Sequence, residues 1–260
     1  MNEPTNIMHV KILTCMILLG SCSSTMNKQS AIKKVDLVSQ FPFVDNTGKL
    51  ENQIDSLSIF YYSDYVIYRY PIGYSELKDD TTIILRDARK GELPAYNYYI
   101  FKQGGEYGYN YRSLKDSSPV RQLIDSFLRF NAFTDLQLKN DDPNYKQIEE
   151  KVKGNLMIVK KALSNSSLDY SFPDSINLYY RKNVSGIPHS LVLQLDNKKN
   201  NKLMKLELIF NHKKYENLAI PNRALILELK EKESDVTANI ISLVERFRTI
   251  SIEPALKHPS

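Results

Sequence analysis

Tyrosine is the residue that most narrows what this chain can become. The sequence holds 17 of them and no tryptophan, and they collect in short runs with Ile, Val and Phe. A tyrosine packs its ring while its hydroxyl stays near water, which suits the half-buried pleated surface of a strand. Such runs occupy 56–70, 96–102 and 106–112, and Ser63-Asp64 divides the first into two strands or one bent strand. Pro71 and Gly73 close that run, and 81–86 adds a further short strand. Gln103-Gly104-Gly105 predicts a hairpin, because paired glycines supply positive φ. The period of two then puts Tyr107, Tyr109 and Tyr111 on one face of its second arm. An aromatic platform for a sugar or peptide is the functional alternative, but strand composition already accounts for the pattern.

Helical spacing takes over after this hairpin. Ser118 fits an N-cap and Pro119 the first helical position, ahead of a stripe of Val120, Leu123, Ile124, Phe127 and Leu128. Asp142-Pro143 opens a second helix whose stripe is Tyr145, Ile148, Val152, Leu156, Val159 and Leu163. Gly154 sits inside it at a cost of about 1 kcal/mol relative to Ala. Further on, 175–181, 190–196, 202–210 and 223–230 predict four strands, with the polar stretch 197–201 turning between the middle two. A last helix over 235–247 faces Val236, Ile240, Leu243, Val244 and Phe247 inward. Strands followed by a helix thus occur twice. The expected fold class is α+β, with antiparallel β-meanders packed against about three helices. The expected units are 51–135 and 140–250, two related meander-plus-helix units or one continuous domain 51–250, followed by a tail 251–260.

No cysteine follows Cys22. Beyond that residue there is no intrachain disulfide, no cysteine nucleophile and no zinc-thiolate site, so the apolar core alone must hold the fold. The net charge is +5, and it is unchanged without residues 1–21, which carry one Lys and one Glu. Lys33-Lys34, Lys198-Lys199 and Lys213-Lys214 are scattered pairs, whereas a nucleic-acid partner asks for a clustered basic face.

The N-terminus carries an address. From Ile12 to Leu19 the chain is apolar apart from Thr14, and Lys11 stands directly before it. A basic start, a short apolar run and small residues are the parts of a secretory signal. The run falls short of the roughly 18–20 residues needed to cross a bilayer as a helix. Glu3 and Pro4 are atypical of a signal's first region, and Met8-His9-Val10-Lys11 makes a compact basic start. Leu19-Gly20-Ser21-Cys22 resembles the lipobox of bacterial lipoproteins. The resemblance covers only the first 22 residues. It implies cleavage between Ser21 and Cys22, a diacylglyceryl group on the Cys22 thiol and an acyl group on the freed amine. At about 0.8 kcal/mol per buried methylene, two or three chains hold a protein to a membrane where one is marginal. Residues 1–21 are thus read as signal peptide and 22–50 as lipid anchor and tether. Ser23-Ser24 lacks the aspartate tied to inner-membrane retention in some bacteria. The resemblance therefore implies the cell envelope, on the outer membrane facing the periplasm.

Chemistry is sparse by comparison. His189, His212 and His258 have no partner ligand one helical turn away, and read as strand-end or tail surface residues. Ser190 follows His189, but a triad is a spatial constellation and no glycine-flanked elbow surrounds any serine. Asp141-Asp142 and Glu149-Glu150 suit the start of a helix, and a glycosidase pair assembled by folding is the alternative. No catalytic, metal or cofactor-binding residue is assigned, and no cofactor. The expected function is an envelope lipoprotein of binding or structural role, its partners the membrane through Cys22 and a protein or cell-wall component. An envelope hydrolase acting on glycan or peptide is the second reading. Carriage of an apolar ligand between a curved sheet and its helices is the third.

Overall fold

A computed structural model of the chain describes residues 32–44, 49–72, 74–79, 82–86, 95–132, 138–139, 142–165, 172–196, 201–215, 218–234 and 237–252. The first half supplies β1 (Lys33–Val44), β2 (Leu50–Tyr62), β3 (Tyr65–Pro71), β4 (Tyr74–Asp79), β5 (Thr82–Arg86), β6 (Tyr96–Lys102), β7 (Tyr107–Tyr111) and β8 (Val120–Leu123). Helix α1 (Ile124–Asn131) follows, then β9 (Tyr145–Lys153), β10 (Leu156–Leu163), β11 (Ser175–Lys182) and β12 (Asn201–Phe210). The chain continues with β13 (Lys213–Tyr215), β14 (Leu218–Ile220), β15 (Arg223–Lys232) and helix α2 (Thr237–Ile252). Eleven strands make one sheet in the order β8-β7-β6-β3-β2-β1-β15-β12-β11-β10-β9, and β4–β5 and β13–β14 are separate hairpins. Every pairing is antiparallel.

The expected α+β class with about three helices is therefore corrected. The described residues form a mainly antiparallel β fold with two helices. The helix expected from Asp142-Pro143 is the hairpin β9–β10. Lys153 pairs with Leu156 across a two-residue turn, and Gly154 takes φ +61. Glycine at the first central position is what such a turn needs, so the supposed weak point of a helix is the hairpin's pivot. The helix expected from Ser118 is shorter, because residues 120–123 pair with β7 as β8 before α1 begins. Ser118 donates its backbone N–H to Asp116 Oδ1 at 2.9 Å, in a turn. Residues 33–44, placed in the tether by sequence, form β1, which pairs with β2 on one side and β15 on the other. The strand expected over 190–196 is no strand. It belongs to a long connection between β11 and β12, which pair directly with each other.

Burial explains why the strands read so differently. Residues 57–61, 65–68 and 98–101 are buried without interruption, the mark of a strand covered on both faces. Side chains alternate between two clusters. Ile59, Tyr61, Val66, Tyr68, Tyr99 and Phe101 join one face, here the inner face, with Ile124 and Phe127 of α1. Phe60, Ile67, Tyr98, Ile100 and Tyr111 join the other with Ile240, Leu243, Val244 and Phe247 of α2. At the far end of the sheet the burial of β10 and β11 alternates instead. There the inner face continues the core through Met157, Val159, Ile176, Leu178 and Tyr180. Lys160 of β10 pairs with Glu149 of β9 (2.9 Å), and Lys205 with Glu207 along β12 (2.7 Å).

Candidate functional site

The connection from β11 to β12 crosses the inner face and buries Ile187, Leu191, Val192 and Leu195 in its core. The backbone N–H groups of Leu195 and Asp196 both donate to the Val192 carbonyl at 3.0 Å, which winds the segment into a turn. Asp196 is fixed by the Leu203 backbone N–H at 3.0 Å and by an ion pair with Lys202, both side chains more than nine-tenths buried. Charges so deep persist only when paired. This clamp seats residues 188–193 opposite α1.

Between them lies a cavity of about 550 Å³, inside the size range of small-molecule sites. Tyr61, Val66, Tyr68 and Phe101 from the sheet form a buried floor, which His189 completes. Gln103, Gly104, Asp125 and Arg129 make an exposed polar rim. Leu193 also stands there, 82% exposed. The floor is stiffened by aromatic packing. Phe127 stacks on Tyr99 with centroids 3.9 Å apart and meets Tyr68 edge-on at 5.3 Å.

His189 is the chemical centre of the floor and only 6% exposed. Its Nδ1 lies 2.9 Å from the Tyr68 hydroxyl, and its backbone N–H donates to the Tyr61 hydroxyl at 3.3 Å. Burial lowers the imidazole pKa to about 4, helped by the Lys202 charge and opposed by Asp196. Burial also pushes both phenols above their ordinary range. All three groups are therefore neutral at physiological pH. If Tyr68 donates to Nδ1, the ring proton sits on Nε2 and one polar atom is left over. The opposite tautomer would leave both the Tyr68 proton and Nε2 unpaired, so the first is assigned. Among the described residues Nε2 has no hydrogen-bond partner, and neither has the buried Ser190 Oγ.

The sequence reading placed His189 on the surface at a strand entrance, and that is corrected: it is buried in the core. The apolar spacing of Leu191, Val192 and Leu195 was the available sign that this segment turns inward. His212 is exposed at the end of β12, as expected. Ser190 and His189 both line the cavity, yet Ser190 Oγ and Nε2 do not bond each other, and Tyr68, not a carboxylate, holds Nδ1. Of the adjacent carboxylates, Asp142 accepts the Asn144 backbone N–H at 2.9 Å in a turn, and Glu149 pairs with Lys151 and Lys160. Neither opens a helix or lines the cavity. Asp141 lies outside the described residues, as do Ser21 and Cys22. Tyr109 and Tyr111 are no open platform, for they pack with Phe247 of α2 in the outer cluster. Among the described residues no three His, Cys, Asp or Glu side chains gather as a metal site, and no helix is long and apolar enough to cross a membrane.

No protein-family model matches this chain, and no curated protein matches it. Among solved structures it is similar to the crystal structure of a DUF1329 family protein from Desulfovibrio piger. The two are 12% identical over 80% of this chain and 88% of that one, with a TM-score of 0.17. At that TM-score the likeness says nothing about how this chain folds or acts.

Proposed function

We propose that this protein is a lipid-anchored component of the bacterial envelope whose folded part holds an amphipathic small molecule between its sheet and α1. The observation that carries the binding half is the cavity, with a buried aromatic floor and a polar rim. An apolar body gains about 25 cal/mol for each Å² it removes from water on such a floor. The exposed Leu193 at the rim extends that apolar surface outward. The anchoring half rests on Leu19-Gly20-Ser21-Cys22 and the apolar run before it.

Binding is favoured over hydrolysis by the chemistry of the same residues. A histidine with a pKa near 4 is a weak base at neutral pH, and its neighbour Ser190 is not hydrogen-bonded to it. The carboxylate on the cavity, Asp125, stands on the exposed rim.

Two experiments test the two halves. A diazirine-bearing alkyl probe added to the full chain should crosslink within 61–68, 101–104, 125–129 and 188–193. Labelling scattered over the surface would remove the cavity reading. Metabolic lipid labelling with membrane fractionation should mark the wild type and lose both label and membrane association in Cys22→Ser. An unlabelled wild type would remove the anchor.

A further inference from the structure

Beyond the Tyr61 and Tyr68 hydroxyls, which bond to His189, the cavity floor has one further polar place. Among the described residues His189 Nε2 and Ser190 Oγ are both enclosed and without a hydrogen-bond partner, and they belong to adjacent residues lining the same cavity. A buried polar atom without a partner costs about 1–3 kcal/mol, and a native protein seldom keeps two together without a use. With Tyr68 donating to Nδ1, Nε2 carries a proton to give away. The Ser190 hydroxyl donates or accepts as required. What is missing is an acceptor.

The charge around the site limits what that acceptor can be. Lys202 is committed to Asp196. The charged residues that line the cavity, Asp125 and Arg129, lie on its exposed rim. A carboxylate or phosphate brought to the floor would lose its water and find no cation there, a heavy cost. An ester or amide carbonyl loses far less and needs only the one or two donors present.

Resting on the cavity reading above, we propose that the His189–Ser190 pair is a carbonyl-recognition site: the ligand is an uncharged acyl ester or amide whose entry shifts the side chains that enclose both atoms, so that its carbonyl oxygen accepts from His189 Nε2–H and Ser190 Oγ–H. Tyr68 and Tyr61 are positioning residues in this arrangement. Tyr68 fixes the tautomer, and the Tyr61 hydroxyl holds the His189 backbone. The acyl chain lies along Val66, Phe101 and Leu128.

The test is native mass spectrometry of the full chain with equimolar methyl oleate and oleate. The wild type should carry the ester in about tenfold excess over the acid, the difference one good hydrogen bond and an avoided desolvation make. His189→Leu should abolish that preference. His189→Gln, which keeps an N–H at a similar reach, should retain most of it, and Ser190→Ala should reduce it about threefold. Equal binding of ester and acid, preference for the acid, or an unchanged preference in both His189→Leu and Ser190→Ala overturns the proposal. If His189→Leu does not fold, the wild-type competition and Ser190→Ala still decide. The alkyl crosslinks separate the two levels. Cavity labelling without ester preference defeats only the carbonyl site, whereas loss of cavity labelling defeats both.

Discussion

His189 and Gly108 show how much a single residue carries here. The folded-state pKa of His189 lies near 4, below the ordinary 6.5. The unfolded chain therefore takes up the proton first as pH falls. The stability linked to this residue is complete above about pH 6.5 and is lost progressively toward pH 4. The size is on the order of 3 kcal/mol. Urea unfolding at pH 7 and pH 4.5 should show that loss in the wild type and a markedly flatter dependence in His189→Leu. Gly108 is constrained differently. A Cβ there would lie 2.6 Å from the Ile100 carbonyl oxygen and 2.6 Å from the Tyr99 ring. The carbonyl is part of the β6–β7 ladder, and the ring is pinned between Phe127 and the Gln122 carbonyl, to which Tyr99 donates at 3.0 Å. Neither can retreat. Gly108→Ala should destabilise by about 1–3 kcal/mol, read as a lowered Tm.

Among the elements, α2 and β9 make the useful contrast. Helix α2 covers the outer face of β2, β3, β6 and β7 with Ile240, Leu243, Val244 and Phe247. Arg246 donates to the Asp116 carbonyl at 3.0 Å and to that of Leu114, tying the helix to the loop after β7. Leu243→Ala should cost about 2–5 kcal/mol in chemical unfolding, because the site is fully enclosed. Strand β9 is a sheet edge with Ile148 and Val152 63% and 57% exposed among five charged side chains. Such charges guard an open edge against pairing with another chain. Ile148→Ala should therefore change stability by no more than about 0.5 kcal/mol. Equal losses for the two variants would mean that the edge is covered.

At the scale of the whole molecule, the C-terminal strand β15 lies between β1 and β12, so residues from both ends of the chain meet in the middle of the sheet. Residues 32–260 form one compact unit. Tearing the sheet at any point would expose a row of unpaired backbone groups. Thermal unfolding followed by far-ultraviolet circular dichroism and by tyrosine fluorescence should therefore coincide in one transition. Two separated transitions would instead mark 51–135 and 140–250 as independent units.

What the sequence determined by itself is local. The positions of β2, β3, β6 and β7 follow from the Tyr, Ile and Val runs, the β6–β7 hairpin from Gly104 with φ +77, and the inward face of α2 from the spacing of Ile240, Leu243, Val244 and Phe247. Each depends on neighbours a few residues apart, which is the distance over which backbone sterics and side-chain period act. The stripe from Tyr145 to Leu163 also fitted a helix. The two-residue turn at Gly154 and pairing with β11 overrode it, because a ladder of backbone bonds to another strand outweighs a propensity of tenths of a kcal/mol per residue. Only the tertiary structure decided the site. Tyr61, Tyr68, Phe101, Leu128 and His189 meet through partners as much as 128 residues apart. Leu191, Val192 and Leu195 hint that the segment turns inward, but nothing in the residues around His189 shows that it is uncharged and one hydrogen bond short, since that state is made by groups that fold against it from elsewhere in the chain.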